Sequence, residues 1–254
     1  KQIVRVFDIK DIKFEDMNLE KYENHTRAFV KVQDGCNNYC SYCIIPYTRG
    51  NVRSKEKNLI IKEVTTLANN GYKEVVLTGI HTGHYGLDLH EYDFSDLLNE
   101  LEKIDGLKRI RISSVEIKEL NEKFMNTLKN SKKIVNHIHI PLQSGSDTIL
   151  KQMNRRYLMD EFYKKIEEIR SIRPEIAITT DVIVGFPGET DELFNETVES
   201  IKKVGFTELH VFPYSRREGT PAASMSNQVD GNVKKERVKK LIKLSTHFGI
   251  PVIK

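Results

Sequence analysis

The sequence predicts an α/β fold, a partial (βα)6 TIM-like barrel, from three observations. Short apolar runs alternate with longer amphipathic segments six times, the pattern of parallel strands joined by right-handed helical crossovers. The length of 254 residues suits one domain of barrel size. All three cysteines fall in a loop directly after the first predicted strand, and such folds gather their chemistry at the carboxyl ends of strands.

The elements follow in order. Residues 1–27 are charged and weakly patterned and read as a linker, and 28–254 read as one core domain. Residues 28–32 form the first strand. Residues 58–70 are helical, because Leu59, Ile60, Val64 and Leu67 share one face, and Gly71 suits the position just past its end. The apolar run 74–78 is the second strand, closed by Gly79. Residues 94–104 place Leu97, Leu98 and Leu101 on one helical face. Residues 109–113 alternate as a strand does. A helix is expected over 120–128, a strand over 137–140 ending at Pro141, and a helix over 160–170. Residues 177–184 are a strand stopped by Gly185-Phe186-Pro187-Gly188. A helix over 191–204 carries Leu193, Phe194, Val198 and Ile201 on its apolar side. The sixth strand is 208–212, a loop over 213–231 covers the barrel mouth, and a basic amphipathic helix spans 233–244.

Hydrophobic residues make up 39% of the chain, enough for a substantial core. No apolar run has the length of a membrane span and no signal peptide precedes the first strand, so the cytoplasm and the absence of a membrane partner are expected. The net charge of +4 permits nucleic acid as a partner without demanding it. Both ends read as cuts within a longer protein.

Cys36, Cys40 and Cys43 are odd in number and tightly spaced, which argues against disulfides and for a metal site with thiolate ligands. Structural zinc and iron–sulfur sites take four protein ligands. Three leave one position open, as a cluster that binds a small molecule directly requires. Two alternatives stand beside this. The cysteines are buried apolar residues, against which polar Asn37, Asn38 and Ser41 speak, or they hold zinc completed by His25 or His81. His137 and His139 share one face of their strand and read as hydrogen-bonded lining residues in preference to metal ligands.

Cys36-x3-Cys40-x2-Cys43, with Tyr42 before the third cysteine, resembles the signature of radical S-adenosylmethionine (SAM) enzymes. The wider run 32–50 resembles their methylthiotransferase branch. So do Pro141-Leu142-Gln143-Ser144-Gly145-Ser146, Met153-Asn154-Arg155-Arg156, the run 181–190 and Phe212-Pro213-Tyr214-Ser215. Gln33-Asp34-Gly35, Thr78-Gly79-Ile80-His81 and Arg217-Glu218-Gly219-Thr220-Pro221 are most similar to enzymes that methylthiolate threonylcarbamoyladenosine in transfer RNA. The wider superfamily has glycine where Asp181 stands.

The resemblance implies a [4Fe–4S] cluster on Cys36, Cys40 and Cys43, with SAM on the fourth iron. Reductive cleavage of SAM then gives a 5′-deoxyadenosyl radical that abstracts hydrogen from the target adenine. It implies SAM contacts from Tyr42, Thr78, Gly79, Glu116, Gln143, Asp181, Val184 and Gly185. For several of these an ordinary turn, packing or loop role stays open. It implies contacts to an anticodon loop from Arg49, Arg53, Arg155, Arg156, Arg216 and Arg217, each of which is otherwise a solvated surface charge. Family members carry an N-terminal domain with a second [4Fe–4S] cluster and usually a C-terminal RNA-binding domain, so residues 1–27 read as the linker from the former. A flavodoxin-type electron donor is expected. Sister substrates are isopentenyladenosine in transfer RNA and an aspartate of a ribosomal protein, and a reading of another class is a non-catalytic, zinc-bound RNA-binding module.

Overall fold

The computed structural model describes residues 14–15, 26–247 and 252–253. Most of the expected linker, and His25, lie outside the described residues. The chain divides into two compact units. The first comprises Lys1–Tyr39, Ile45–Ser113 and Ser131–Ile134, and the second Cys40–Ile44, Ser114–Asn130 and Val135–Lys254.

In the first unit, β1 (Ala28–Lys31), β4 (Glu74–Thr78) and β5 (Arg109–Ile112) form a parallel sheet in the order β1-β4-β5. The central strand β4 is buried along Glu74, Val75, Val76 and Leu77, as a strand covered on both faces must be. Helix α2 (Lys57–Asn69) buries Ile60, Val64 and Leu67. It ends where sequence spacing put it, with the Gly71 N–H donating to Ala68 O (3.0 Å) and Tyr72 N–H to Leu67 O (3.1 Å). Helix α3 (Phe94–Glu102) starts in a reciprocal capping box between Asp93 and Asp96. Two features were not legible in the periodicity. One is helix α1 (Ile45–Arg49), and the other is an antiparallel pair of two-residue strands, β2 (Gln33–Asp34) and β3 (Arg53–Ser54), too short to show a period. Lys55 follows β3. Its side chain is 2% exposed, its ammonium donates to Glu63 (2.8 Å), and its carbonyl accepts from the Tyr85 hydroxyl (2.9 Å).

In the second unit, β6 (His137–His139), β7 (Ala177–Val184), β8 (Glu208–Pro213) and β9 (Val252–Ile253) form a second parallel sheet in that order. Strand alternation separates two faces. Ile138, Ile178, Thr180, Val182, Leu209 and Val211 are buried on one, while His137, His139, Thr179, Asp181, Glu208 and His210 line the other. The helices are α4 (Glu122–Asn130), α5 (Asp147–Gln152), α6 (Met159–Ile172), α7 (Asp191–Val204) and α8 (Gly231–His247). Helix α4 begins two residues later than the spacing suggested, because a 3-10 turn at Ile117–Glu119 precedes it. Helix α5 went unforeseen: it is six residues long and buries only Ile149 and Leu150. The expected loop 213–231 contains a 3-10 turn at Pro221–Ser224. Among the described residues no helix is long and apolar enough to cross a membrane.

Candidate metal and cofactor site

The cysteine loop begins at a sharp backbone reversal. Gly35 has φ +72°, and a Cβ there would stand 1.9 Å from Asn51 O. Only glycine fits that space and that dihedral. Asp34 accepts the Gly35 N–H (2.8 Å), and the Gln33 amide donates to the carbonyls of Asp34 (2.7 Å) and Gly35 (2.6 Å). The Cys36 N–H donates to Gly50 O (3.1 Å). Its sulfur, half-buried, accepts the Asn38 N–H (3.5 Å) and lies 3.8 Å from His81 Nδ1. The Asn38 side-chain amide donates to the same nitrogen (3.2 Å), and the His81 ring stacks on His84 at 3.6 Å. Cys36, His81 and His84 therefore form a group of metal-competent donors in the first unit. The zinc alternative asked His81 to complete a site of all three cysteines, and the contact seen is with Cys36.

In the second unit, Ser41 between the other two cysteines is pinned at three points. Its N–H donates to Met153 O (3.0 Å), its hydroxyl to Gln152 O (2.7 Å), and its carbonyl accepts from Ala222 N–H (2.8 Å). Cys43 N–H donates to Cys40 O (2.9 Å). Tyr42 packs against a core of Ile149, Met153, Phe186, Tyr214 and Ala222. Cys40 is buried, and Arg155 Nη1 stands 3.4 Å from its sulfur and 2.7 Å from Glu116 Oε1. The Arg155 side chain is 3% exposed, and its Nε and Nη2 are buried with no hydrogen-bond partner. Burial alone lowers the guanidinium pKa, but Tyr157, Tyr42, Glu116 and Cys40 around it more than restore it, so the charge stays.

The structure corrects one expectation here. Arg155 was expected among the phosphate-contacting arginines, yet it is buried and committed to Glu116 and Cys40, so its charge is withdrawn from any surface. Arg49, Arg156, Arg216 and Arg217 are exposed. Arg53 is half-buried: it stands 3.6 Å from Asp34 and donates to Arg49 O (2.7 Å).

The remaining candidates are placed as follows. Thr78 donates its hydroxyl to Val30 O (3.3 Å). A Cβ at Gly79 would stand 2.8 Å from Gln33 Oε1, so glycine there admits the glutamine that in turn accepts the His81 N–H (2.8 Å). Gln143 has φ +60° and bridges to β7 through Asp181 O and the Ile183 N–H (2.8 Å each). Val184 is fully buried and its carbonyl accepts from Tyr214 N–H (2.8 Å). Gly185 gives its N–H to Glu189 (2.6 Å), a carboxylate that Arg237 also holds at 2.7 Å. Burial pushes the Glu189 carboxyl above its usual range despite these partners. Asp181 is held between His139 (3.4 Å) and His210 (3.1 Å); burial would raise its carboxyl, but the two histidines hold it below the usual carboxylate range. Sequence reading missed Gln33, Glu189, Arg237 and His210 as organisers. Each acts through a partner distant in sequence, Gln33 on His81, Glu189 with Arg237 and His210 on Asp181, and Gln33 and Glu189 were visible only as parts of motifs.

Three cysteines close in sequence, none of them in a disulfide, suit an anionic metal–sulfur group. So does a buried guanidinium with two unspent donors beside one of them. Thiolate donors on a parallel α/β scaffold suit a protein that holds a metal–sulfur cofactor. The profile of the Radical SAM superfamily matches residues 30–201, and the chain belongs to that superfamily, which implies a [4Fe–4S] cluster and SAM. The chain is 52% identical over 237 residues to the threonylcarbamoyladenosine tRNA methylthiotransferase MtaB of Bacillus subtilis (strain 168), covering 93% of this chain and 52% of that protein. It is 46% identical over 217 residues to the tRNA-2-methylthio-N(6)-dimethylallyladenosine synthase of Alkaliphilus oremlandii, covering 85% and 46%. The chain spans about half the length of the curated relatives it matches. Among solved structures, coproporphyrinogen III oxidase (HemN) from Escherichia coli aligns with a TM-score of 0.66 at 16% identity, covering 89% of this chain and 54% of that one. That likeness is one of fold: the radical SAM α/β fold.

Proposed function

We propose that this chain is the radical SAM core of a tRNA methylthiotransferase acting on N6-threonylcarbamoyladenosine beside the anticodon. The observation that carries the substrate is the 52% identity to the Bacillus subtilis enzyme, against 46% to the dimethylallyladenosine synthase. The zinc-bound module is disfavoured by membership of the superfamily.

Cys36, Cys40 and Cys43 would hold the cluster. When bound, cluster and SAM together supply one-electron reductive cleavage of the sulfonium. Arg155 keeps positive charge beside Cys40 and favours its thiolate form. Glu116 fixes Arg155 in place. Ser41 fixes the backbone between Cys40 and Cys43. Tyr42, Thr78, Gly79, Glu116, Gln143, Val184 and Gly185 would hold SAM. Exposed Arg49, Arg156, Arg216 and Arg217, with half-buried Arg53, would meet phosphates of a single-stranded loop. A flavodoxin-type protein in the cytoplasm would supply the electron. A second cluster needs thiolates that these 254 residues do not contain, since all three cysteines are in one motif.

Two measurements test this. Anaerobically reconstituted chain releases 5′-deoxyadenosine from SAM, and Cys40→Ala abolishes the release. Nucleosides from a strain lacking the gene lose 2-methylthio-N6-threonylcarbamoyladenosine and keep the dimethylallyl counterpart. The reverse loss transfers the assignment to dimethylallyladenosine, and an unchanged nucleoside pool overturns the transfer RNA reading.

A further inference from the structure

The polar face of the second sheet carries a cluster that the proposed chemistry leaves unused. His139 on β6, Asp181 on β7 and His210 on β8 stand side by side on adjacent strands, and Asp181 and His210 are directly paired in register. His210 Nδ1 is 3.1 Å from Asp181 Oδ1, and His139 Nε2 is 3.4 Å from Oδ2. The other ring nitrogen of His210 faces Glu208 Oε1 at 3.7 Å. One donor atom from each of His139, Asp181 and His210 lies within 4.8 Å of the others. The Asp181 and His210 side chains are 29% and 27% exposed, so an ion has access.

Two physical arguments favour a cation here. With neutral rings the four side chains carry two negative charges at a half-buried place, and a divalent ion neutralises both. The rear nitrogen of His139 is also fixed: Nδ1 lies 2.9 Å from the Thr179 hydroxyl, which lies 3.3 Å from His137 Nε2. Metal-bound histidines are commonly oriented in this way through the ring nitrogen they do not use.

We propose that His139, Asp181 and His210 form a site for one divalent transition-metal ion of the zinc or iron(II) type, with Glu208 orienting His210 through its other ring nitrogen. Two imidazoles and a carboxylate are the donor set that binds such ions, and the absence of sulfur excludes copper(I) or a cluster. The site shares no residue with the cysteine loop, and Asp181 belongs to it in preference to SAM.

Cobalt(II) is the probe. The full chain with Cys36, Cys40 and Cys43 all replaced by alanine is titrated with Co²⁺ and followed by visible absorption and calorimetry. One equivalent is expected to bind without thiolate charge-transfer absorption. His210→Ala and Asp181→Asn weaken it by about tenfold or more, and Thr179→Val by about tenfold. Absence of binding in a chain that keeps its circular dichroism and melting transition overturns the proposal, as does binding unchanged by His210→Ala and Asp181→Asn. Should the triple variant not fold, the unmodified chain serves, because thiolate-bound cobalt announces itself by charge transfer. Selective loss of the equivalent lacking that band in His210→Ala supports the site, and an unchanged count overturns it.

Discussion

Arg155 stands in the motif Met153-Asn154-Arg155-Arg156, where two adjacent arginines look interchangeable in sequence. Folding separates them: Arg156 is exposed, and Arg155 is buried between Glu116 and Cys40. Arg155→Met should cost about 3 kcal/mol of stability in urea unfolding, because it strands a largely buried carboxylate. Arg155→Lys keeps the charge but loses the planar fork, and should recover part of that stability. Arg155 is a positioning residue, so iron retention by the two variants should rank lysine above methionine. Glu74 offers a second test. Burial would raise its carboxyl, but hydrogen bonds from Arg109 (2.6 Å) and Arg111 (3.0 Å) outweigh that and hold it below its ordinary value of 4.5. A depressed carboxyl contributes stability that is complete above its unfolded pKa and disappears as pH falls through the folded one. The stability gap between the wild type and Glu74→Gln should therefore be widest near neutral pH and close in acid below 4.5. The cysteine triplet was legible because its chemistry is local. The Arg155 pairing was not, because Cys40 and Glu116 reach it from 115 and 39 residues away.

Strands and long helices follow from their own periodicity, and the six predicted strands agree with β1, β4, β5, β6, β7 and β8 to within a residue or two. What periodicity lacks is any signal for elements of two to six residues such as β2, β3, α1 and α5. Their formation rests on partners elsewhere in the chain. The turn between β6 and α5 illustrates this. Gly145 donates its N–H to Thr197 (3.0 Å), and its carbonyl accepts from Ser200 (3.0 Å), both on α7. A Cβ at Gly145 would stand 2.5 Å from Ser200 Cβ and 2.7 Å from Thr197 Cα. Gly145→Ala should thus lower the thermal midpoint by an amount equivalent to about 1–3 kcal/mol of overpacking. Combining it with Ser200→Gly should recover part of the loss, since Ser200 Cβ and Oγ, two of the three obstructing atoms, are then gone.

For the molecule as a whole, composition limits chemistry. Three cysteines support one cubane, so anaerobic reconstitution should give about four irons and four sulfides per chain and saturate there. The same limit leads us to expect SAM cleavage by the chain with no methylthio nucleoside formed unless another source of cluster ligands is added. The fold class was legible at this scale because β–α alternation is a property of the entire sequence. The division into two units was not, since the segments Cys40–Ile44 and Ser131–Ile134 each join a unit different from that of their chain neighbours. Lys55 gives one of those units a built-in reporter. An amine paired with Glu63, on a side chain 2% exposed, lies beyond the reach of acylating reagents while its surroundings stay closed. Brief labelling with an activated ester, read by peptide mass spectrometry, should mark the solvated lysines at once and this one only at the pace of transient opening, so a single modified peptide would clock the breathing of the first sheet's surroundings.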